Sequence, residues 1–242
     1  MRYALISDIH ANLEALEAVV AEIDKLSIDS IYCLGDVIGY GPNPNECAEM
    51  IRQRCAVCLI GNHDEASLGE VDLSFFNYVA REAIEWTAKE LSEHHKVYLR
   101  SLPYIHDFDD CMIVHASPDN PNRWNYILSL DDATQGFEAF GQQACFIGHS
   151  HTPWVIESNP AGRMQVHQQY PVTLKDHHRY LINVGSVGQP RDRNPAAAFG
   201  VFDDTLREYR LIRADYDIAV TQAKIRETGL PSFLADRLAN GQ

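Results

Sequence analysis

At 242 residues, with 45% hydrophobic and 22% charged positions, the chain has the make-up of a globular protein with enough apolar material for a sizeable core. A formal net charge of −14 excludes broad, sequence-independent nucleic-acid binding, which needs a basic surface to neutralise phosphates. The opening Met1-Arg2-Tyr3-Ala4-Leu5-Ile6-Ser7-Asp8 has an apolar run too short for a signal sequence, and no stretch approaches a membrane span. Scattered cysteines (Cys33, Cys47, Cys55, Cys58, Cys111, Cys145) suit a reducing compartment, so a cytoplasmic protein with no membrane association is expected.

Tyr3 to Ile6 is a short apolar run and reads as a buried strand. Asn12 can cap a following helix to about Ser27, with Leu13, Leu16, Val20, Ile23 and Leu26 on one face. A second strand, Ile31 to Leu34, leads into Gly39-Tyr40-Gly41-Pro42-Asn43-Pro44, too rich in Gly and Pro for helix, and then a helix near Asn45 to Arg54. A third strand covers Ala56 to Ile60, and the repeated strand-loop-helix order predicts a largely parallel sheet in this half. Residues 75–100 are helical in pattern, with Phe76, Val79, Ala80, Ala83, Ile84, Thr87 and Leu91 spaced by three and four, and Leu102-Pro103 closes the segment.

Cys111 to Val114 and Ala144 to Ile147 are further buried strands. From Trp154 onward the texture changes to short alternating segments: Trp154 to Glu157, Met164 to His167, Tyr180 to Val184, Ala198 to Phe202 and Leu206 to Leu211. These predict a second, mostly antiparallel sheet packed on the first. Tyr216 to Leu238, interrupted by Gly229-Leu230-Pro231, reads as terminal helices. The expected organisation is one α/β domain over residues 1–242, with a helical insertion at about 66–100 and a helical tail at about 216–242.

Five motifs punctuate this order, each directly after a strand: Asp8-Ile9-His10, Gly35-Asp36, Gly61-Asn62-His63-Asp64, His115, and Gly148-His149-Ser150-His151. Strand carboxyl ends are where an open α/β sheet places its ligands. Each motif alone has a plain structural explanation, such as turn chemistry for Gly-Asp and Asn-His or a strand-terminating His. Jointly they offer two carboxylates, an amide oxygen and four imidazoles besides His63, enough to hold two divalent cations side by side and suited to Mn²⁺, Fe²⁺ or Zn²⁺ rather than Ca²⁺. A carboxylate such as Asp36 can bridge ions about 3.5–4 Å apart in a two-metal site. His63 can face substrate as a general acid, with Asp64 placed to orient it or raise its pKa.

This ordered set resembles the calcineurin-like metallophosphoesterase superfamily, with its D-x-H, G-D, G-N-H-[DE], H and G-H-x-H pattern, over residues 8–151. Gly185-Ser186-Val187-Gly188-Gln189-Pro190-Arg191-Asp192 looks like a loop of the small prokaryotic phosphodiesterase-like branch and extends the likeness to about residue 213. The resemblance implies a four-layer αββα sandwich of two facing mixed sheets. It also implies one metal on Asp8, His10, Asp36 and His151, a second on Asp36, Asn62, His115 and His149, and a bridging hydroxide as nucleophile. The activity it implies is hydrolysis of phosphomonoesters or phosphodiesters. Dinucleoside polyphosphate hydrolysis and serine/threonine protein dephosphorylation are alternatives within the family. A metal-binding interaction scaffold is the non-enzymatic one, although a degenerate scaffold would be expected to have lost ligands or the acid.

For a small phosphorylated substrate, possibly a nucleotide in class, the candidate contacts are Arg123, Arg191 and Asn12, with Tyr40, Asn43 and Trp124 able to stack on or hydrogen-bond a nucleoside. Cys55-Ala56-Val57-Cys58 lacks the second pair of a zinc ribbon and is expected to pack. His94-His95 and His177-His178 lie outside the motifs and are expected to face solvent.

Overall fold

The computed structural model describes residues 1–167 and 169–242. In chain order the elements are β1 (Arg2–Ile6), α1 (Leu13–Ile23), β2 (Ser30–Cys33), α2 (Pro44–Arg54), β3 (Val57–Cys58), α3 (Asn62–Ser67), α4 (Tyr78–Glu90), α5 (Glu93–Arg100), β4 (Ile105–Phe108), β5 (Cys111–Val114), α6 (Leu130–Glu138) and β6 (Ala144–Ile147). They continue with β7 (Trp154–Ser158), β8 (Met164–His167), β9 (Val172–Thr173), β10 (Arg179–Asn183), β11 (Ala197–Asp203), β12 (Glu208–Ala214), α7 (Ile218–Glu227) and α8 (Ser232–Asp236). No described helix is long and apolar enough to cross a membrane.

The strands form two six-stranded mixed sheets, ordered β3-β2-β1-β11-β12-β9 and β4-β5-β6-β10-β7-β8. Alternation along the strands explains the layering. Tyr3 and Leu5 of β1 join Phe146 of β6, Ile182 of β10, Phe202 of β11 and Tyr209 of β12 in a core between the sheets. Ala4 and Ile6 point the other way, onto Leu16 and Val19 of α1 and Cys47 and Ile51 of α2. On the far face of the second sheet, Val114, Cys145, Ile147 and Leu181 meet Ala133 and Phe137 of α6. The result is the four-layer αββα sandwich.

The expected split into an N-terminal parallel sheet and a C-terminal antiparallel one is corrected. Both sheets combine strands from both halves: β11 pairs antiparallel with β1, and β10 inserts beside β6 in parallel. Alternation showed which faces are buried but carried no information on which strands are neighbours. The strand expected over Ala56 to Ile60 pairs only at Val57 and Cys58. The last strand starts at Glu208 because Asp204–Arg207 form a turn, with Leu206 donating its N–H to Asp203 and Arg207 in the left-handed region. The 75–100 segment is two helices, since Leu91 leaves helical geometry (ψ 123°) and the Ser92 side chain caps the next. Helix α6 was not anticipated, although Ser129 and Asp132 form a reciprocal capping box at its start. Strands β4 and β9, and Leu26 and Ser27 lying past the end of α1, are further differences.

Parallel pairing of β1, β2 and β3, and of β5, β6 and β10, brings six strand ends and their loops to one rim of the sandwich. Asn12 caps α1 just behind that rim, its Oδ1 accepting from Ala15 N. Helices α7 and α8 pack with α4 and Tyr40 at the same end.

Phe146 is fully buried between the sheets, with ring centroids 5.4 Å from Phe202 and 5.9 Å from Tyr209. Phe146→Ala should therefore lower the unfolding free energy by about 3–5 kcal/mol, read from urea denaturation.

Candidate metal centre

The rim loops leave ordinary backbone geometry. Asp8, His10, Ala11, Asp36, Tyr40, His149 and His151 all have φ between 49° and 65°, a left-handed conformation uncommon outside glycine. Such conformations cost of order 1–3 kcal/mol each and persist only where the surroundings over-determine them. Here the Gly185–Arg191 segment supplies much of that constraint. Ser186 Oγ and Gly188 N donate to the Asp8 carbonyl (2.8 and 2.9 Å), and Val187 N donates to Ser7 O (2.9 Å). Gly188 is required by close approach, because a Cβ there would lie 1.7 Å from the Ile9 carbonyl oxygen.

These loops converge two buried clusters, Asp8, His10, Asp36 and His151, and Asp36, His115 and His149, each with its donor atoms mutually within 4.8 Å. Asp36 belongs to both. Its Oδ1 accepts the His63 backbone N–H (2.8 Å), while Oδ2 is buried without a hydrogen-bond partner. That oxygen lies 3.6 Å from His10 Nε2 and 3.3 Å from His115 Nε2. Asn62 Oδ1 lies 3.3 Å from His115 Nε2, at the second cluster.

Backbone carbonyls decide which ring nitrogen faces inward, because a carbonyl can only accept. His10 Nδ1 donates to Ile38 O (3.2 Å), His115 Nδ1 to Leu34 O (2.9 Å) and His151 Nδ1 to Gln189 O (2.7 Å), so each Nε2 faces inward. His149 is reversed: Nε2 donates to Trp124 O (3.0 Å), so Nδ1 faces the cluster. The inward Nε2 atoms of His10 and His151 then stand 3.1 Å apart, two acceptors face to face.

Charge makes the same point. Burial lifts the Asp8 carboxyl to about 7, with Asp36 adding repulsion and His115 opposing it. Burial also pushes Asp36 upward, yet His115, His63 and His10 outweigh it and hold that carboxyl far below its ordinary range. His115 goes up to about 9 although burial opposes its charge, because Asp36 and Asp8 attract the proton. His10 and His151 are driven well below the usual imidazole value, first by burial. Burial and the neighbouring His115 take His149 down to about 3. Neutral His10, His149 and His151, a buried carboxylate oxygen, and a His115 proton that the two carboxylates hold where a cation would take its place make the donor set of a cation site, and these residues fit a pair of divalent ions sharing Asp36.

His63 is buried beside the first cluster, its ring 4.9 Å from His10, 4.3 Å from Tyr40 and 5.4 Å from Phe76 between centroids. Burial lowers its pKa to about 4, with the Asp36 charge opposing, and its Nδ1 has no partner. Asp64 does not orient it, which corrects that expectation. Asp64 Oδ1 accepts from Ile38 N (3.0 Å) and Oδ2 from Gly61 N (2.9 Å), so this carboxyl tethers two rim loops. Burial raises Asp64 to about 7, with the nearby Asp36 adding to it.

Asn12 is likewise corrected as a substrate contact. Its amide donates to Gly188 O and Tyr216 Oη (2.8 and 3.2 Å) and its oxygen accepts from Ala15 N and Thr221 Oγ1 (3.2 and 3.0 Å), which uses its capacity in stitching the fold. Asn43 lies at the α2 N-terminus against Glu46 and Lys224. Arg191 remains near the clusters, donating to Gln189 Oε1 (2.7 Å) with its guanidinium 5.8 Å from the Tyr40 ring centre. Arg123 is exposed on a cleft of about 690 Å³ that also includes Tyr40, Asn62, His63, Phe76, Trp124, Tyr126 and His149.

Away from the cleft, His94 and His177 are exposed as expected, but their neighbours are not simply solvated. His95 Nδ1 lies 2.9 Å from Asn45 Oδ1, and His178 Nδ1 lies 2.5 Å from the buried Glu157 carboxylate. The six cysteines are unpaired. Sequence reading missed Glu65, Tyr126 and the Trp124 carbonyl. A backbone acceptor leaves no signature in residue type, so only the three-dimensional arrangement exposes it.

The sequence profile described as the calcineurin-like phosphoesterase superfamily domain matches residues 1–205. The chain belongs to that superfamily. Among its relatives is an uncharacterized protein of Methanocaldococcus jannaschii, 39% identical over 245 residues that cover 99% of this chain and 98% of that one. A metallophosphoesterase crystal structure from Sphaerobacter thermophilus superimposes with a TM-score of 0.89 at 42% identity, covering 100% of this chain and 99% of that one. A hypothetical protein of Pyrococcus horikoshii shares the fold, with a TM-score of 0.79 at 20% identity over 100% of this chain and 98% of the other.

Gly61 abuts the shared carboxylate so closely that a Cβ would lie 2.2 Å from Asp36 Oδ1. Gly61→Ala should leave the circular dichroism spectrum of the sandwich intact while metal analysis shows fewer than two ions retained.

Proposed function

We propose that this superfamily member is a dinuclear-metal phosphoesterase acting on small phosphomonoesters or phosphodiesters. The observation that carries the reading is the convergence of the buried, partnerless Asp36 Oδ2 with the inward-facing Nε2 atoms of His10, His115 and His151. Asp8, His10, Asp36 and His151 would hold one ion, and Asp36, Asn62, His115 and His149 the other, with Mn²⁺, Fe²⁺ or Zn²⁺ matching the mixed imidazole and carboxylate set. Such ions supply Lewis acidity and acidify water toward neutral pH.

The chain's own residues do the rest. Tyr40, Phe76 and the backbone of α3 fix the His63 ring at the cleft, where it can give a proton to the departing ester oxygen. The neutral ring expected from its low pKa gains proton affinity when a phosphate brings negative charge beside it. Arg191, with no carboxylate partner among the described ion pairs, would pair with a phosphoryl oxygen, and Arg123, on the cleft, with a more distal anionic group. The cleft's volume fits a nucleotide-sized ester, and Tyr126, 48% exposed, offers a ring for stacking. Unpaired cysteines support a reducing, cytoplasmic setting.

Purified protein stripped of metal and reloaded with Mn²⁺ should hydrolyse bis-p-nitrophenyl phosphate, and chelator should abolish turnover. Absence of Mn²⁺-dependent turnover across mono-, di- and polyphosphate esters would favour the scaffold alternative. Asp36→Asn should weaken both ions together in metal analysis. His63→Ala should cost about 10²–10⁴-fold in kcat on an alkyl or nucleoside ester, less on a p-nitrophenyl ester whose leaving group needs little protonation, with two ions retained.

A further inference from the structure

Glu65 lies one turn beyond Asn62 on α3 and is 9% exposed. Both carboxylate oxygens are engaged: Oε1 accepts from Tyr104 Oη (2.5 Å) and Oε2 from the Trp124 indole Nε1 (3.0 Å). Trp124 ends the single-turn 3₁₀ segment Pro121–Arg123 in the left-handed region (φ 57°), and its indole packs on the rings of Tyr104 and His115, 5.7 and 5.8 Å between centroids. The carbonyl of the same residue accepts the Nε2 proton of His149, and two residues later Tyr126 stacks on the His149 ring at 3.9 Å. One strap therefore reaches from a buried carboxylate on α3 to an imidazole on the opposite sheet's rim.

We propose that Glu65 is a positioning residue: by pinning the Trp124 indole it holds the Trp124 carbonyl in place, and that carbonyl fixes His149 with Nδ1 directed at the second cluster. The inference rests on the reading of His149 as a ligand. His149 differs from the other three imidazoles in this respect. His10 and His115 are fixed by carbonyls beside the Gly35-Asp36 motif, Ile38 and Leu34, and His151 by Gln189 of the segment that clamps the Asp8 loop, whereas the carbonyl that fixes His149 sits in a loop anchored to α3 through the Trp124–Glu65 hydrogen bond. Without the pin, that loop loses its charged anchor to α3. Removing partners that orient a metal-bound histidine characteristically costs 10–100-fold in metal affinity.

Trp124→Phe keeps an aromatic ring but deletes the indole donor, and Glu65→Gln keeps the shape while removing the charge. Two measurements separate the inference from the reading beneath it. In metal-free protein, ¹⁵N NMR of the ring nitrogens should show His149 protonated at Nε2 in the parent and mixed tautomers in both variants. In Mn²⁺ titrations, the parent should bind two ions and give the electron paramagnetic resonance spectrum of a coupled pair. Each variant should lose roughly 10–100-fold in affinity for one ion while the other stays within about twofold. The double variant should lose no more than Trp124→Phe alone, because the two changes break one link. Unchanged His149 tautomer and two unchanged affinities would overturn the positioning role, as would equal weakening of both ions, which marks general destabilisation. A parent that shows the expected tautomer but binds no second ion would instead overturn the dinuclear reading and the metal half of this inference, leaving the pin itself intact.

Discussion

The rim is organised around a buried carboxylate oxygen that forms no well-aligned hydrogen bond. Asp36 Oδ2 sits where the loops after β1, β2, β5 and β6 meet, with imidazole nitrogens on two sides and no hydrogen-bond partner. A charge so placed is expensive unless it is paired, and the His10 and His151 lone pairs at 3.1 Å raise the cost further. A polypeptide keeps such an arrangement when cations are its complement. Left-handed backbone at five candidate ligands, Asp8, His10, Asp36, His149 and His151, shows how far local geometry gives way to this requirement.

The sandwich supplies the rigidity that the requirement needs. Aromatic packing between the sheets, with Phe146 between Phe202 and Tyr209, fixes the strand ends whose loops carry the donors. The outer carbonyl contacts of Ile38, Leu34, Gln189 and Trp124 then choose the nitrogen each imidazole turns inward. Asp64 and the Gly185–Arg191 segment belong to this supporting layer: the first ties Ile38 to Gly61, the second clamps the Asp8 loop. The neighbouring cleft is walled by loops and by residues of α3 and α4 rather than by the strands.

The chain alone already carried the donor set, the family likeness and the buried faces of most strands. Donor types are written in residue identity, and burial is written in alternation, as Tyr3 and Leu5 against Ala4 and Ile6 show. Helix starts at Asn12 and Ser92 were equally visible in principle, since capping depends on side chains close in sequence. What spacing could not supply was partner choice. Strand β11 lies beside β1 although about 190 residues separate them, because sheet neighbours are selected by the packing of whole faces rather than by local pattern.

The same division runs through the site. Asp36 as the shared carboxylate was anticipated from its motif, but only the assembled rim shows that one of its oxygens goes unpartnered. Asp64 follows His63 directly, and sequence proximity suggested a pair; in three dimensions consecutive helical residues diverge, and Asp64 turns to the Ile38 and Gly61 N–H groups instead. Asn12 looked available and is fully bonded within the fold. Glu65 and Trp124 meet across 59 positions, and the second of them acts on His149 through a carbonyl that every residue type possesses. Residue chemistry determined what this protein can hold; tertiary packing decided which atoms are left free to hold it.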